Sequence, residues 1–237
     1  MRIIPAIDII DGKCVRLTQG DYAQKKIYSD SPTEVAASFE QAGLRYLHLV
    51  DLDGAKAGKV TNWKVVESIC ATTNLTVDFG GGIKTEEEVM RLFESGVQQI
   101  NLGSIAVRNP ALVSNWIRKF GPEKIILSAD VKEEMIAIGG WLEESRISVF
   151  DFIADYLEKG IRYVTCTDIS TDGMLQGPNV TLYKRLLKRF PDIKLIASGG
   201  VSKMQDVEEL KAINVDGVIL GKAIYEGRID LGELGNV

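Results

Sequence analysis

The chain has 237 residues, 45% hydrophobic and 26% charged, with 23 glycines, proportions that exclude a disordered, collagenous or coiled-coil chain and leave material for a sizeable core. A net charge of −5 leaves no general basic footprint for nucleic acid or an anionic membrane, so an anionic ligand must be held by a local site. Cys14, Cys70, Cys166 and the single histidine make neither a disulfide framework nor a metal-binding spacing, and no stretch approaches the roughly 20 apolar residues of a membrane span; a reducing cytoplasm is the expected setting.

Short runs rich in Ile, Val and Leu recur at 2–7, 45–51, 75–79, 98–102, 124–129, 161–167, 193–197 and 216–220. They are nearly continuous in hydrophobicity, as parallel strands covered on the outside by helices are. Helical segments with legible punctuation lie between them. Ser31-Pro32-Thr33-Glu34 supplies an N-cap, a first-turn proline and a capping acid, and Gly43 stops that helix. Thr85 to Glu88 repeats the capping pattern ahead of Gly96. Asn109-Pro110 opens a helix that Gly121-Pro122 closes, and Ser148 to Asp151 opens one that ends at Gly160. Eight strand–helix units predict an α/β chain folded as a single (β/α)8 TIM barrel, with a doubly wound sheet as the alternative.

An internal repeat favours the barrel. FGGGIKTEEEVMRLFESGVQQINLGSIAV at 79–107 returns as ASGGVSKMQDVEELKAINVDGVILGKAIY at 197–225, shifted by 118 positions with seven of 29 residues identical. IIPAIDI at 3–9 parallels IILSADV at 125–131, and GLRYLHLVDL at 43–52 parallels GIRYVTCTDI at 160–169. A closed ring of two half-barrels, about 1–121 and 122–237, accounts for this better than an open sheet, and no linker separates the halves.

Barrel active sites lie at the carboxyl ends of the strands. Asp8 ends the first strand and Asp130 the fifth, so the repeat sets two carboxylates across one mouth, where different surroundings can divide acid from base work. The alternative for each is a helix cap or a loop salt bridge. Gly81, Gly82, Gly103 and Ser104 follow the third and fourth strands; Gly199, Gly200, Gly221 and Lys222 follow the seventh and eighth. Loops without Cβ atoms let backbone N–H groups approach a phosphate, and two matching sets predict a long ligand with a phosphate at each end. A lone glycine pair would as readily be a tight turn. His48 is either a satisfied core histidine or a site residue, sharing a strand face with residue 50. Thr167 and Asp172 offer a hydroxyl and a carboxylate to a sugar, although Asp172-Gly173 also suits a turn. Trp141 either stacks on a flat ring or covers the mouth; Arg16 lies in the first βα loop, where solvation is the default. Glu86 to Glu88 and Glu143-Glu144 read as solvated faces.

PAIDIIDGKCVRL, HLVDLDGAKAG, DFGGGIKTEEEV, NLGSIAV, ASGGVS and VILGKAIYEGRIDL, in this order, resemble the phosphoribosylformimino-5-aminoimidazole carboxamide ribotide isomerases of histidine biosynthesis, from residue 2 to about 231. The resemblance implies an aldose-to-ketose (Amadori) isomerisation of a bisphosphorylated small molecule without metal or organic cofactor; a monomer with no nucleic-acid or membrane partner is the expectation beside it. Asp8 would be the general base at C2′ and Asp130 the general acid that opens the ribose ring. Thr167 and Asp172 would assist at the sugar, and the two glycine sets would bind the phosphates. Lys84 stands where that family often has arginine, which puts a bidentate phosphate contact in question. The alternatives are an isomerase that also takes phosphoribosyl anthranilate, and the sister cyclase, whose first-strand cysteine and following lysine are replaced here by Ala6 and Arg16.

Overall fold

The computed structural model describes residues 1–18 and 20–235. Twelve strands run in chain order: β1 (Arg2–Ile10), β2 (Lys13–Thr18), β3 (Asp21–Ser29), β4 (Tyr46–Asp51), β5 (Thr76–Gly80), β6 (Gln99–Leu102), β7 (Ile125–Lys132), β8 (Met135–Ile138), β9 (Glu143–Ser148), β10 (Tyr163–Asp168), β11 (Lys194–Ser198) and β12 (Gly217–Leu220). Eight form a closed parallel ring in the order β1, β4, β5, β6, β7, β10, β11, β12 and back to β1, with β7 and β10 joined in register from Ile126↔Tyr163 to Val131↔Asp168. This is a (β/α)8 barrel, and the eight ring strands fall on the eight apolar runs. Helices α1 (Pro32–Gln41), α2 (Leu52–Ala57), α3 (Trp63–Thr72), α4 (Glu86–Glu94), α5 (Ser104–Arg108), α6 (Pro110–Phe120), α7 (Val149–Glu158), α8 (Val180–Arg189), α9 (Met204–Ala212), α10 (Lys222–Tyr225) and α11 (Leu231–Leu234) complete it. Among the described residues no helix is long and apolar enough to cross a membrane.

The helix boundaries follow the punctuation. Ser31, Asn109 and Ser148 each accept a first-turn N–H as N-caps, and Thr85 with Glu88 forms a complete capping box. Strand side chains alternate between two destinations. On β4 Leu47, Leu49 and Asp51 face outward and are buried under helices, while Tyr46, His48 and Val50 face the barrel interior. The lower interior is sealed by Ile4, Ala6, Ile126, Ile196 and Ile219, with Tyr46 and Tyr163 packed on them and the Arg2 guanidinium 4.6 Å from the Tyr163 ring. Above that plug the interior opens toward the carboxyl ends.

Two antiparallel extensions were not expected. β1 runs past the ring and pairs with β2 (Asp8↔Val15, Ile9↔Cys14), which pairs with β3; β7 likewise pairs with β8, and β8 with β9. Each half-barrel therefore begins with a strand that continues into a ribbon over the mouth.

The repeat also extends to buried polar hubs. Asp51, fully buried, accepts hydrogen bonds from the N–H groups of Gly54 (2.7 Å), Thr61 (2.7 Å) and Asn62 (2.9 Å), from the Thr61 hydroxyl and from the Asn62 amide (2.7 Å). Its counterpart Asp168 accepts from the Ser170 N–H and hydroxyl and from the Asn179 amide (2.6 Å). The glycine pairs pack against these hubs. A Cβ on Gly81 would lie 2.2 Å from the Asp51 carbonyl oxygen, and one on its counterpart Gly199 would lie 2.9 Å from that of Asp168. These glycines thus satisfy a close backbone approach as well as positive φ. Removing a hub carboxylate leaves several buried donors without an acceptor. Asp51→Ala is expected to cost about 3 kcal/mol in urea unfolding; a midpoint indistinguishable from wild type would show the hub to be dispensable.

Candidate active site

Ring order fixes where the carboxyl-terminal loops meet. β1 and β7 lie on opposite sides, as do β5–β6 and β11–β12. Asp8 and Asp130 consequently face one cavity of about 280 Å³, whose wall includes Arg16, His48, Gly81, Gly82, Gly103, Ser104, Trp141, Thr167 and Asp172. A smaller adjoining cavity of about 30 Å³, room for little more than one water, is lined by Gly199, Gly200, Gly221 and Lys222, and shares Arg16 and Asp172 with the first. Each candidate catalytic or phosphate-binding residue read from the sequence borders one cavity or the other.

The two acids keep different company. Asp8 pairs with the Arg16 guanidinium at 2.9 Å, both side chains being largely buried. Arg16 is therefore not a solvated loop residue: the antiparallel pairing of β2 against β1 turns it inward. Its guanidinium lies so close to Gly221 that a Cβ there would sit 2.5 Å from Cζ, and its Nε is buried without a hydrogen-bond partner. Among the described residues Asp130 has no salt-bridge partner. It accepts a hydrogen bond from the Trp141 indole N–H (2.9 Å) and others from the hydroxyls of Ser128 (3.5 Å) and Thr167, its register partner across the β7–β10 seam. Burial raises its pKa, and the bonds from Trp141 and Thr167, the charge of His48 and the bond from Ser128 only partly oppose that rise.

His48 Nδ1 lies 2.5 Å from Asp78 Oδ1, which also accepts the Asn101 amide at 2.6 Å. Burial would lower the imidazole pKa, but the charge and hydrogen bond of Asp78 outweigh it and the net direction is upward. The histidine is thus both a satisfied interior residue and part of the cavity wall. Asp172, in the turn after β10, has its pKa raised by burial against the opposing pull of Arg16. Lys222 Nζ donates to the Gly173 carbonyl (2.8 Å), which ties the second glycine set to that turn.

At the glycine sets the backbone geometry repeats. Gly103 and Gly221 precede α5 and α10 with φ, ψ of −103°, −93° and −116°, −98°, and neither helix start carries a side-chain cap. Trp141 takes a left-handed conformation (φ 70°) and packs over Gly20, where a Cβ would fall 2.6 Å from its ring; the two ribbon tips meet there above the mouth. The indole covers the mouth and holds Asp130. Asp78, Asn101 and Ser128 also line the barrel interior and were missed. Their signal was the period-two register with Gly80, Gly103 and Asp130. Among the described residues no group of three or more His, Cys, Asp or Glu side chains is placed to hold a metal ion.

A pH dependence follows from Asp130. Its folded-state pKa lies above the unfolded one, so the neutral carboxyl favours folding below the unfolded value, and that contribution is lost as pH rises through the folded value. Asp130→Asn, neutral throughout, should melt higher than wild type near pH 7, with the gain shrinking toward about pH 4. A gain that does not change with pH would contradict this.

The chain matches, over residues 2–230, the family described as histidine biosynthesis protein. It is 56% identical over 236 residues to a 1-(5-phosphoribosyl)-5-((5-phosphoribosylamino)methylideneamino) imidazole-4-carboxamide isomerase of Flavobacterium johnsoniae, covering 100% of this chain and 98% of the relative. Isomerases of the same name from Bacteroides thetaiotaomicron and Cytophaga hutchinsonii are 55% and 54% identical over 234 residues, covering 99% of this chain and 98% of each relative. The chain belongs to the histidine biosynthesis protein family.

Proposed function

We propose that this chain is an intramolecular aldose–ketose isomerase, acting on the bisphosphorylated imidazole carboxamide aminoaldose that its relatives' name describes and converting it to the phosphoribulosyl isomer. The observation that carries this reading is the pair of acids in unlike surroundings, Asp8 against a guanidinium and Asp130 against an indole N–H and hydroxyls, between two glycine sets on opposite sides of one mouth. Full-length similarity to isomerases supports the substrate class. On this reading the chain is one domain built of half-barrels 1–121 and 122–237, working as a cytoplasmic monomer.

The reaction needs a proton given and a proton taken. Burial keeps the Asp130 carboxyl protonated to higher pH than an exposed aspartate, which suits it to protonate the furanose oxygen as the C1′–O bond breaks and the C1′=N Schiff base forms. Asp8, held against the Arg16 guanidinium, then takes the C2′ proton. The electron pair moves into a C1′=C2′ bond and neutralises the nitrogen; the resulting enol then ketonises, C1′ gaining the proton that Asp8 took from C2′ while the enol hydroxyl gives up its own proton to restore Asp130. No atoms enter or leave. Thr167 steadies Asp130 across the strand seam, and Asp172 lies beside both cavities, within reach of a sugar hydroxyl. The glycine sets hold the terminal phosphates and so fix the ribose between the acids.

Positioned acid–base groups of this kind each contribute roughly 10²- to 10⁴-fold. Asp8→Asn and Asp130→Asn should each lower turnover of the aminoaldose, followed by absorbance, by a factor in that range. Wild-type turnover in both variants would sink the proposed mechanism.

A further inference from the structure

In both halves the short helix behind a glycine set is followed through to a charged residue that clasps the ribbon over the mouth. Arg108, at the end of α5, holds Glu143 of β9 with Nη2 2.7 Å from Oε1. The counterpart of Arg108 at the 118-residue shift is Glu226, just past α10, which takes Lys26 Nζ of β3 at 2.8 Å and the Tyr28 hydroxyl. The clasp is repeated and its polarity is reversed. If holding a ribbon down were its only purpose, either polarity would serve.

The polarity differs where the cradles differ. The second cradle already contains a guanidinium, Arg16 against Gly221, together with the ammonium of Lys222. The first has only the ammonium of Lys84 from the loop itself. Arg108 shares the main cavity wall with Lys84, Gly82, Gly103 and Ser104, whereas Glu226 borders neither cavity. Arg108 follows Ser104 by one helical turn, and a helical side chain leans back toward the preceding turn. The Ser104 hydroxyl accepts the Gly139 N–H at 2.9 Å, and a Cβ on Gly139 would lie 3.4 Å from Arg108 Nη2. Arg108, Ser104, Gly139 and Glu143 therefore form one cluster at the rim of the first cradle. The Arg108 and Glu143 side chains are 44% and 58% exposed, so their pair is easily exchanged. A phosphate offers the guanidinium a stronger, bidentate partner.

We propose that Arg108 is a phosphate-binding residue of the first cradle, which exchanges Glu143 for the oxygens of an arriving phosphate. The inference rests on the reading of the glycine sets as phosphate cradles. Each cradle then presents one lysine and one arginine to a dianion: Lys84 with Arg108, and Lys222 with Arg16. The guanidinium of the first cradle is supplied from the far end of α5.

The test is calorimetric titration of the intact protein with inorganic phosphate, paired with steady-state kinetics on the aminoaldose. Glu143→Gln removes the competitor and should tighten phosphate binding about two- to fivefold. Arg108→Gln should weaken it about tenfold or more, raising KM with kcat little changed. Opposite directions are the signature, because a pair serving only as a clasp would weaken binding in both variants. Weakening in both, or no change in either, would overturn the role of Arg108 while leaving the cradles standing. A wild-type protein that binds no phosphate and turns over no aminoaldose would remove cradles and exchange together.

Discussion

Closing eight parallel strands into a ring leaves strand side chains only two places to go, and that constraint organises everything above it. Outward residues meet the helices and make the main core, from Ile7 and Leu49 to Tyr183 and Leu210. Inward residues must share a narrow interior. Apolar side chains fill its lower end around Ile4, Ile126 and Ile219. At the upper end the same alternation projects Asp8, His48, Asp78, Ser128, Asp130 and Thr167, whose polar atoms would be costly in a dry core and are instead paired with one another or turned to the mouth.

The duplicated half turns this constraint into a site with two ends. Matching buried carboxylates, Asp51 and Asp168, organise matching loops, and matching glycine pairs lean on them because any Cβ would strike backbone. Symmetry alone would give two identical acids, which cannot divide the work of donor and acceptor. The halves diverge at this point. The ribbon after β1 carries an arginine inward to Asp8, while the ribbon after β7 carries a tryptophan to Asp130. One duplicated frame thus provides equal spacing, and two unequal ribbons give the two carboxylates the unlike surroundings that the proposed acid–base chemistry calls for.

Much of this was legible in the sequence, for identifiable reasons. The ring strands are buried on both faces and so read as apolar runs, and four helices announce themselves through Ser31, Thr85, Asn109 and Ser148. The ribbons were not legible. β3, DYAQKKIYS, is exposed along most of its length and has no apolar face to detect. β8 and β9 did leave a signal, the Gly139-Gly140 pair between two short runs, which suits a hairpin turn. Because the ribbons went unseen, Arg16 read as solvated and the Trp141–Asp130 bond had no basis. The hubs were available: Asp51 with Asn62 and Asp168 with Asn179 recur at one spacing in both halves.

The central claim is that two anion cradles face each other with a proton donor and a proton acceptor between them. A crystal structure of the protein soaked in inorganic phosphate tests it most directly. The account predicts one phosphate on the loops of Gly82 and Gly103 and another on those of Gly200 and Gly221, with Asp8 and Asp130 facing the space between. Phosphate on a single loop set, or either aspartate turned out of that space, would contradict it.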